Sequence, residues 1–119
     1  PYTTLFRSGI AVAPVTDWRL YNTAYTERFM RRPQENFDGY KKTSAIEMAS
    51  KLEGRLLLIH GTADDNVHYQ NSLLYAEKLV EEGKQFEMQI YTDKDHSILG
   101  KQARRHLYTR MSEFLFSNL

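Results

Sequence analysis

Apolar residues recur along this chain with two different periods, and the switch between them divides it into elements. From Gly9 the run GIAVAPV is compact, apolar and stopped by Pro14, which predicts the end of a buried parallel strand. Trp18, Tyr21, Tyr25 and Phe29 then follow at helical spacings, predicting one helix with an aromatic stripe, Asp17 placed to cap it and Pro33 to stop it. PQENFDGYKK is turn-like, and Ser44 followed by Glu47 resembles a capping box that opens a short helix through Leu52, closed by Gly54. A strand LLLIH, Leu56 to His60, leads into the polar loop GTADDNVHYQ. NSLLYAEKLVEEG reads as a helix with Leu73, Leu74, Ala76, Leu79 and Val80 on its apolar face and Gly83 at its C-terminal cap. Phe86, Met88 and Ile90 alternate along a strand FEMQIYT, and Ala103, Leu107, Met111, Phe114 and Leu115 mark a last helix. Strand, helix, strand, helix predicts a parallel crossover, hence an α/β fold with a mainly parallel sheet flanked by helices.

Composition narrows the function classes. The 119 residues are 41% hydrophobic and 26% charged, with a net charge of +1 and acids and bases interspersed. That excludes the basic footprint that nucleic acid or an anionic bilayer needs. The absence of cysteine excludes disulfides, thiolate metal sites and a cysteine nucleophile. No uninterrupted apolar run exceeds that of Leu56 to Ile59, far below the roughly 18 residues of a membrane span. The first eight residues, PYTTLFRS, resemble the frame translation of a sequencing-library adapter; they are read as non-native and set aside, leaving 9–119 as the native part.

In open parallel sheets, chemistry gathers beyond the carboxyl ends of the strands. Two polar loops lie there, HGTADDNVH after Ile59 and TDKDHS after Tyr91. If the two strands are neighbours, a carboxylate of the first loop reaches an imidazole of the second. Such a carboxylate fixes the tautomer of the imidazole and supports the cation formed when the ring takes a proton from a nucleophile. Acid before base along the chain suits an α/β-hydrolase triad, but none of the serines lies in a GxSxG elbow. Acid and base are therefore suggestive and incomplete on spacing alone. A metal reading of Asp64, Asp65, His68, Asp95 and His96 lacks any recognised ligand spacing, so no metal is expected.

Three segments in order, APVTDWRLYNTAYTERFM, HGTADDNVHYQ and YTDKDH, resemble the C-terminal part of the catalytic domain in the prolyl oligopeptidase family of serine peptidases, in its dipeptidyl peptidase branch. The resemblance covers Gly9 to Leu119 and implies an α/β-hydrolase fold. It implies Asp64 as triad acid, His96 as triad base, and Asn66 as the amide that holds a substrate carbonyl. Tyr21 and Tyr25 become walls of a pocket for a penultimate proline, with Val15, Trp18 and Val67 completing its lining. It further implies peptide substrates with penultimate Pro or Ala, no cofactor, and a homodimer to which Tyr108 and Phe116 of the last helix suit a subunit contact. The location it implies is periplasmic, secreted or cell-surface. Ser97 follows His96 where many relatives have glycine, which bears on the loop's geometry. The family's nucleophile elbow and the acidic pair that binds a free amino group lie upstream of the matching segments. Alternatives are an oligopeptidase or acyl-peptide hydrolase of the same family, or a non-catalytic module that binds a partner through its aromatic stripe. Of the remaining polar residues, Asp65 is expected to bond the amides of its turn, His60 to make an internal hydrogen bond, and His68 and His106 to have no chemical role.

Overall fold

The computed structural model describes residues 7–118. Strands β1 (Ser8–Val12), β2 (Arg55–Gly61) and β3 (Glu87–Tyr91) form one parallel sheet in the order β1-β2-β3. Helices α1 (Thr23–Met30) and α2 (Phe37–Lys42) lie in the β1-to-β2 connection, α3 (Gln70–Glu81) joins β2 to β3, and α4 (Lys101–Ser117) ends the chain. The strand, helix, strand, helix reading holds. Of the eight residues set aside as non-native, 1–6 lie outside the described residues. Ser8 is paired with Arg55 of β2, and Arg55 donates its backbone N–H to the Arg7 carbonyl at 2.8 Å.

β2 is the centre of the sheet and is buried from Leu56 onward, as its unbroken apolar run requires. Alternate side chains feed two cores. Leu57 and Ile59 pack with Tyr91, Ile98, Leu107 and Phe114 under α4, while Leu56 packs with Ala49 and Leu79 under α3. The strand register aligns Ile59 with Gln89 and Gly61 with Tyr91, so the loops after β2 and β3 leave the sheet side by side.

Several local expectations need correcting. The aromatic stripe is not one helix. Asp17 caps only a 3-10 turn over Trp18–Leu20, and Asn22, with extended φ and ψ, starts α1 afresh by accepting from the Tyr25 N–H at 2.9 Å. PQENFDGYKK contains α2, because the Asn36 side chain accepts from the Gly39 N–H and Tyr40 is buried with its hydroxyl on the Arg31 carbonyl. The Ser44 box yields only a 3-10 turn at Ala49–Lys51; the Ser44 hydroxyl accepts from the Glu47 N–H but donates to Asp17 at 2.8 Å. In α3 the inward positions are Asn71, Ser72 and Leu79, whereas Leu73 and Val80 are exposed. Polar groups of that helix turn inward because they have partners there. Thr16 donates its N–H to the Asn71 side-chain oxygen at 3.1 Å and its hydroxyl to the Asn71 carbonyl at 2.7 Å. Ile90 and Leu115 are also exposed, Ile90 on a strand that forms an edge of the described sheet.

These bonds position the site. Thr16 ties the segment after β1 to α3, and Asp17 ties it to Ser44, so the aromatic residues that follow are held against the loop after β2. Among the described residues no helix is long and apolar enough to cross a membrane.

Candidate active site

β2 ends at Gly61 against the loop after β3, and the fit there is close. A Cβ at Gly61 would run into the carbonyl oxygens of Lys94 and Asp95, so only glycine lets the two loops meet. Three bonds then fasten one loop to the other. Thr62 donates its N–H to the Tyr91 carbonyl at 3.0 Å, Ala63 to that of Lys94 at 3.0 Å, and Asp93 donates its N–H to the Thr62 hydroxyl at 2.8 Å. Left-handed backbone falls on Asp93, with φ of 58°, and Ile98, with φ of 49°, whose side chain is buried. Ser97 is not among the positive-φ residues, so the serine in place of glycine after His96 imposes no backbone strain.

Asp64 lies at the bottom of this arrangement with its carboxylate fully enclosed. Its Oδ1 accepts the N–H groups of Asn66 and Val67, each at 2.9 Å, and its Oδ2 lies 2.8 Å from His96 Nδ1. The turn amides thus belong to Asp64, not to Asp65, which is exposed; the expectation for Asp65 was wrong because the first carboxylate of the pair is the one that points into the turn. His96 has 39% of its side chain exposed. Its Nδ1 is turned inward to the carboxylate. A hydrogen on Nδ1 leaves Nε2 as the basic nitrogen, an arrangement able to accept a proton from a hydroxyl placed against it.

The predicted substrate residues form a second group. Trp18, Tyr21 and Tyr25 pack as edge-on and stacked rings with centroids 5.5–6.1 Å apart, and Phe29 continues the row at 5.1 Å from Tyr25. The helix break does not interrupt this shelf. Its link to the acid–base pair is Asn66, whose side-chain oxygen accepts from the Tyr21 hydroxyl at 2.8 Å, leaving the amide nitrogen to donate. Two open clefts border the shelf. One, of about 380 Å³, is lined by Arg19, Tyr21, Asp65, Asn66 and His68 among others; the other, of about 200 Å³, is lined by Trp18, Tyr25, Thr26, Phe29 and Met30. Val67 is buried and Val15 half-buried, and neither borders these clefts.

A charged fork supports the shelf from below. Buried Asp17 receives Arg19 Nε at 2.9 Å and a terminal guanidinium nitrogen at 2.8 Å, together with the Arg19 N–H and the Ser44 hydroxyl. Burial alone would raise the Asp17 carboxyl, but the bonds from Arg19 and Ser44 outweigh it and hold the group below the usual carboxylate range.

Comparison with known proteins places this geometry. A model of the prolyl oligopeptidase family matches residues 1–119. The chain belongs to the prolyl oligopeptidase family. Dipeptidyl peptidase 4 of Bos taurus is 46% identical over 114 residues, which is 93% of this chain and 15% of that protein. The probable dipeptidyl-aminopeptidase B of Ajellomyces dermatitidis is 48% identical over 115 residues, 94% of this chain and 12% of that protein. The crystal structure of Porphyromonas gingivalis dipeptidyl peptidase 4 matches with a TM-score of 0.94 and 59% identity, covering 96% of this chain and 16% of its own. A putative dipeptidyl aminopeptidase IV from Bacteroides ovatus matches with the same TM-score at 33% identity, over 99% of this chain and 16% of that one. The fold is accordingly part of an α/β-hydrolase, and the chain spans 12–16% of the length of these prolyl oligopeptidase family relatives.

Gly61 was not singled out from sequence, and His60 was expected only to make an internal hydrogen bond. Gly61 and His60 stand directly before the acid loop in the HGTADD segment. His60 is fully buried and makes the expected internal bonds, to the Ser72 hydroxyl at Nδ1 and the Val67 carbonyl at Nε2, but it also lies 3.2 Å from Asp64 Oδ2. A histidine closing a buried strand a few residues before a loop carboxylate was the available signal. His106, expected to be inert, has its Nδ1 2.8 Å from the Tyr91 hydroxyl.

Proposed function

We propose that this chain carries the acid and base of a Ser-Asp-His triad in a serine exopeptidase that releases N-terminal dipeptides with penultimate Pro or Ala. Residues 9–119 would be the C-terminal part of its catalytic domain and residues 1–8 a non-native segment. The observation that carries the proposal is the enclosed Asp64 carboxylate bonded to Nδ1 of a partly exposed His96 at adjacent ends of parallel strands. In the reaction, His96 Nε2 takes the proton of a serine hydroxyl supplied by a segment outside this chain as the oxygen attacks the scissile carbonyl. The imidazolium, steadied by Asp64, returns that proton to the leaving amine, and the resulting acyl-enzyme ester is hydrolysed by water through the same base. Trp18, Tyr21 and Tyr25 give flat faces against which a pyrrolidine ring packs with little entropy lost, and Asn66 donates to the carbonyl of the substrate's first residue.

No step of this chemistry requires a cofactor or metal. The relatives named above as dipeptidyl peptidases support peptide substrates. Exposed Tyr108 and Phe116 on α4 support a homodimer contact, and the family resemblance supports a periplasmic, secreted or cell-surface location. The test is the complete coding sequence, expressed and assayed with a glycyl-prolyl chromogenic substrate and with its N-blocked counterpart. An in-frame GWSYGG-like elbow upstream of Gly9 and cleavage restricted to the free amine support the reading. Equal cleavage of the blocked substrate transfers the chain to the oligopeptidase branch, and a natural start codon immediately upstream of Gly9 leaves only a non-catalytic module.

A further inference from the structure

His60 has no part in the triad as described, yet it touches the same carboxylate oxygen as His96. The ring is completely buried at the end of β2, with every nitrogen engaged. Nε2 lies 2.7 Å from the Val67 carbonyl oxygen, which can only accept, so Nε2 carries a hydrogen. The same nitrogen is 3.2 Å from Asp64 Oδ2. Nδ1, 2.6 Å from the Ser72 hydroxyl on α3, completes the restraint on the ring plane.

We infer that His60 is a positioning residue for the triad acid. Its Nε2–H is bonded to the Val67 carbonyl, the same edge of the ring lies against Asp64 Oδ2 at 3.2 Å, and the Ser72 hydroxyl fixes the ring plane from the other side. Asp64 is then confined from both sides: two backbone N–H groups bond Oδ1, His96 bonds Oδ2, and the edge of the His60 ring stands against Oδ2 at 3.2 Å. Rotation of the carboxylate is blocked, and the oxygen offered to His96 stays in one place. His60 also pins the peptide carbonyl of Val67, so it joins both ends of the turn that carries Asn66. The buried side chains of α3 become intelligible on this basis: Ser72 turns inward to orient the histidine that orients the acid.

The inference rests on the triad reading proposed above, and a pair of near-isosteric variants of the complete enzyme tests it separately. His60→Gln places an amide nitrogen near the Nε2 position and keeps a donor for Val67 beside Asp64. His60→Asn places its amide near Nδ1 and loses that donor. Expected is a drop in kcat of about 100-fold for His60→Asn with KM within about threefold, the scale of a misplaced catalytic group, and a kcat within about tenfold of the parent for His60→Gln. Equal losses in the two variants, a wild-type kcat in both, or a loss in His60→Asn confined to KM or to Tm overturns the inference, since a histidine that only supports the fold would leave kcat of the folded enzyme unchanged. His96→Ala is the control for the underlying reading. Full activity in that variant sinks the triad itself, whereas its inactivity combined with indifference to His60 sinks only the positioning role.

Discussion

The acid–base corner and the aromatic shelf meet through the Asn66–Tyr21 bond but are built in opposite ways. In the corner, both oxygens of Asp64 and both nitrogens of His60 are engaged, and the loops that carry Asp64 and His96 are bonded to each other at Thr62 and Ala63. The shelf stands open to water: Tyr25 is 51% and Phe29 69% exposed. Among the described residues, the one buried side-chain polar atom without a partner is the Thr26 hydroxyl, beneath this shelf. Large apolar faces left in contact with water are a feature of surfaces made to be covered. The corner is closed by its own bonds. The shelf is an open face.

The corner is therefore where single substitutions should act most strongly. In the complete enzyme Asp64→Asn leaves the fold's shape intact but reverses the donor needed at His96 Nδ1, and turnover of a glycyl-prolyl substrate should fall by roughly 10⁴-fold, as in triads generally. A near wild-type rate would remove Asp64 from the mechanism. Gly61→Ala attacks the same corner without touching a polar group. The new methyl meets two backbone carbonyls that no rotamer change can withdraw, so the His96 loop must move away. Overpacking of this kind costs about 1–3 kcal/mol, and a displacement near 1 Å costs about 100-fold in rate. Thermal melting and kcat should both fall; unchanged kcat with a lowered Tm would show that the loop contact is structural only.

The contrast also explains what was legible in the sequence. The apolar run Leu56–Ile59 and the alternation Phe86–Ile90 exposed the parallel sheet, and polar loops at corresponding strand ends marked where chemistry gathers, because both features depend on local pattern and topology; the resemblance then singled out Asp64 and His96 within those loops. What escaped depended on particular long-range partners. Asn71 and Ser72 are buried in α3 because Thr16 and His60 lie opposite, and Leu73 and Val80 are exposed in consequence. Asp17 looked like a helix cap and instead anchors a 3-10 turn through Arg19 and Ser44. Periodicity reports which residues are apolar, not which polar residues have found a partner inside. None of the serines lies in a GxSxG elbow, so the sequence marks no nucleophile beside that acid and base.

For the shelf, the expected effects are smaller and fall on binding. Tyr25→Ala removes an exposed aromatic face that stacks on Trp18, and KM for a substrate with penultimate Pro should rise by about 10- to 100-fold with little change for penultimate Ala, the range that apolar pocket contacts provide. A uniform loss across both substrates would mean that Tyr25 supports the fold and not the pocket. Tyr21→Phe keeps the ring and deletes one hydroxyl. Releasing the Asn66 side chain in this way should raise KM by about fivefold, in keeping with one hydrogen bond of about 1 kcal/mol.

The smallest effect is expected beneath the shelf, at Asp17, and it has a pH signature. Arg19 and Ser44 hold the folded carboxyl below its unfolded value. A group depressed in this way stabilises the fold fully above the unfolded pKa of about 3.9, and that contribution disappears as pH falls through the folded pKa. Asp17→Asn keeps the shape but not the charge. Because about a third of the Arg19 side chain is open to water, the loss should be modest, about 1 kcal/mol at neutral pH. Denaturation of parent and variant across pH 2 to 7 should give curves about that far apart above pH 5 that converge below about pH 4. A gap that persists unchanged into acid would mean that Asp17 contributes through packing and neutral hydrogen bonds, and that the Trp18 turn is held without its charge. Convergence would instead tie the stability of the aromatic shelf to the charge of Asp17.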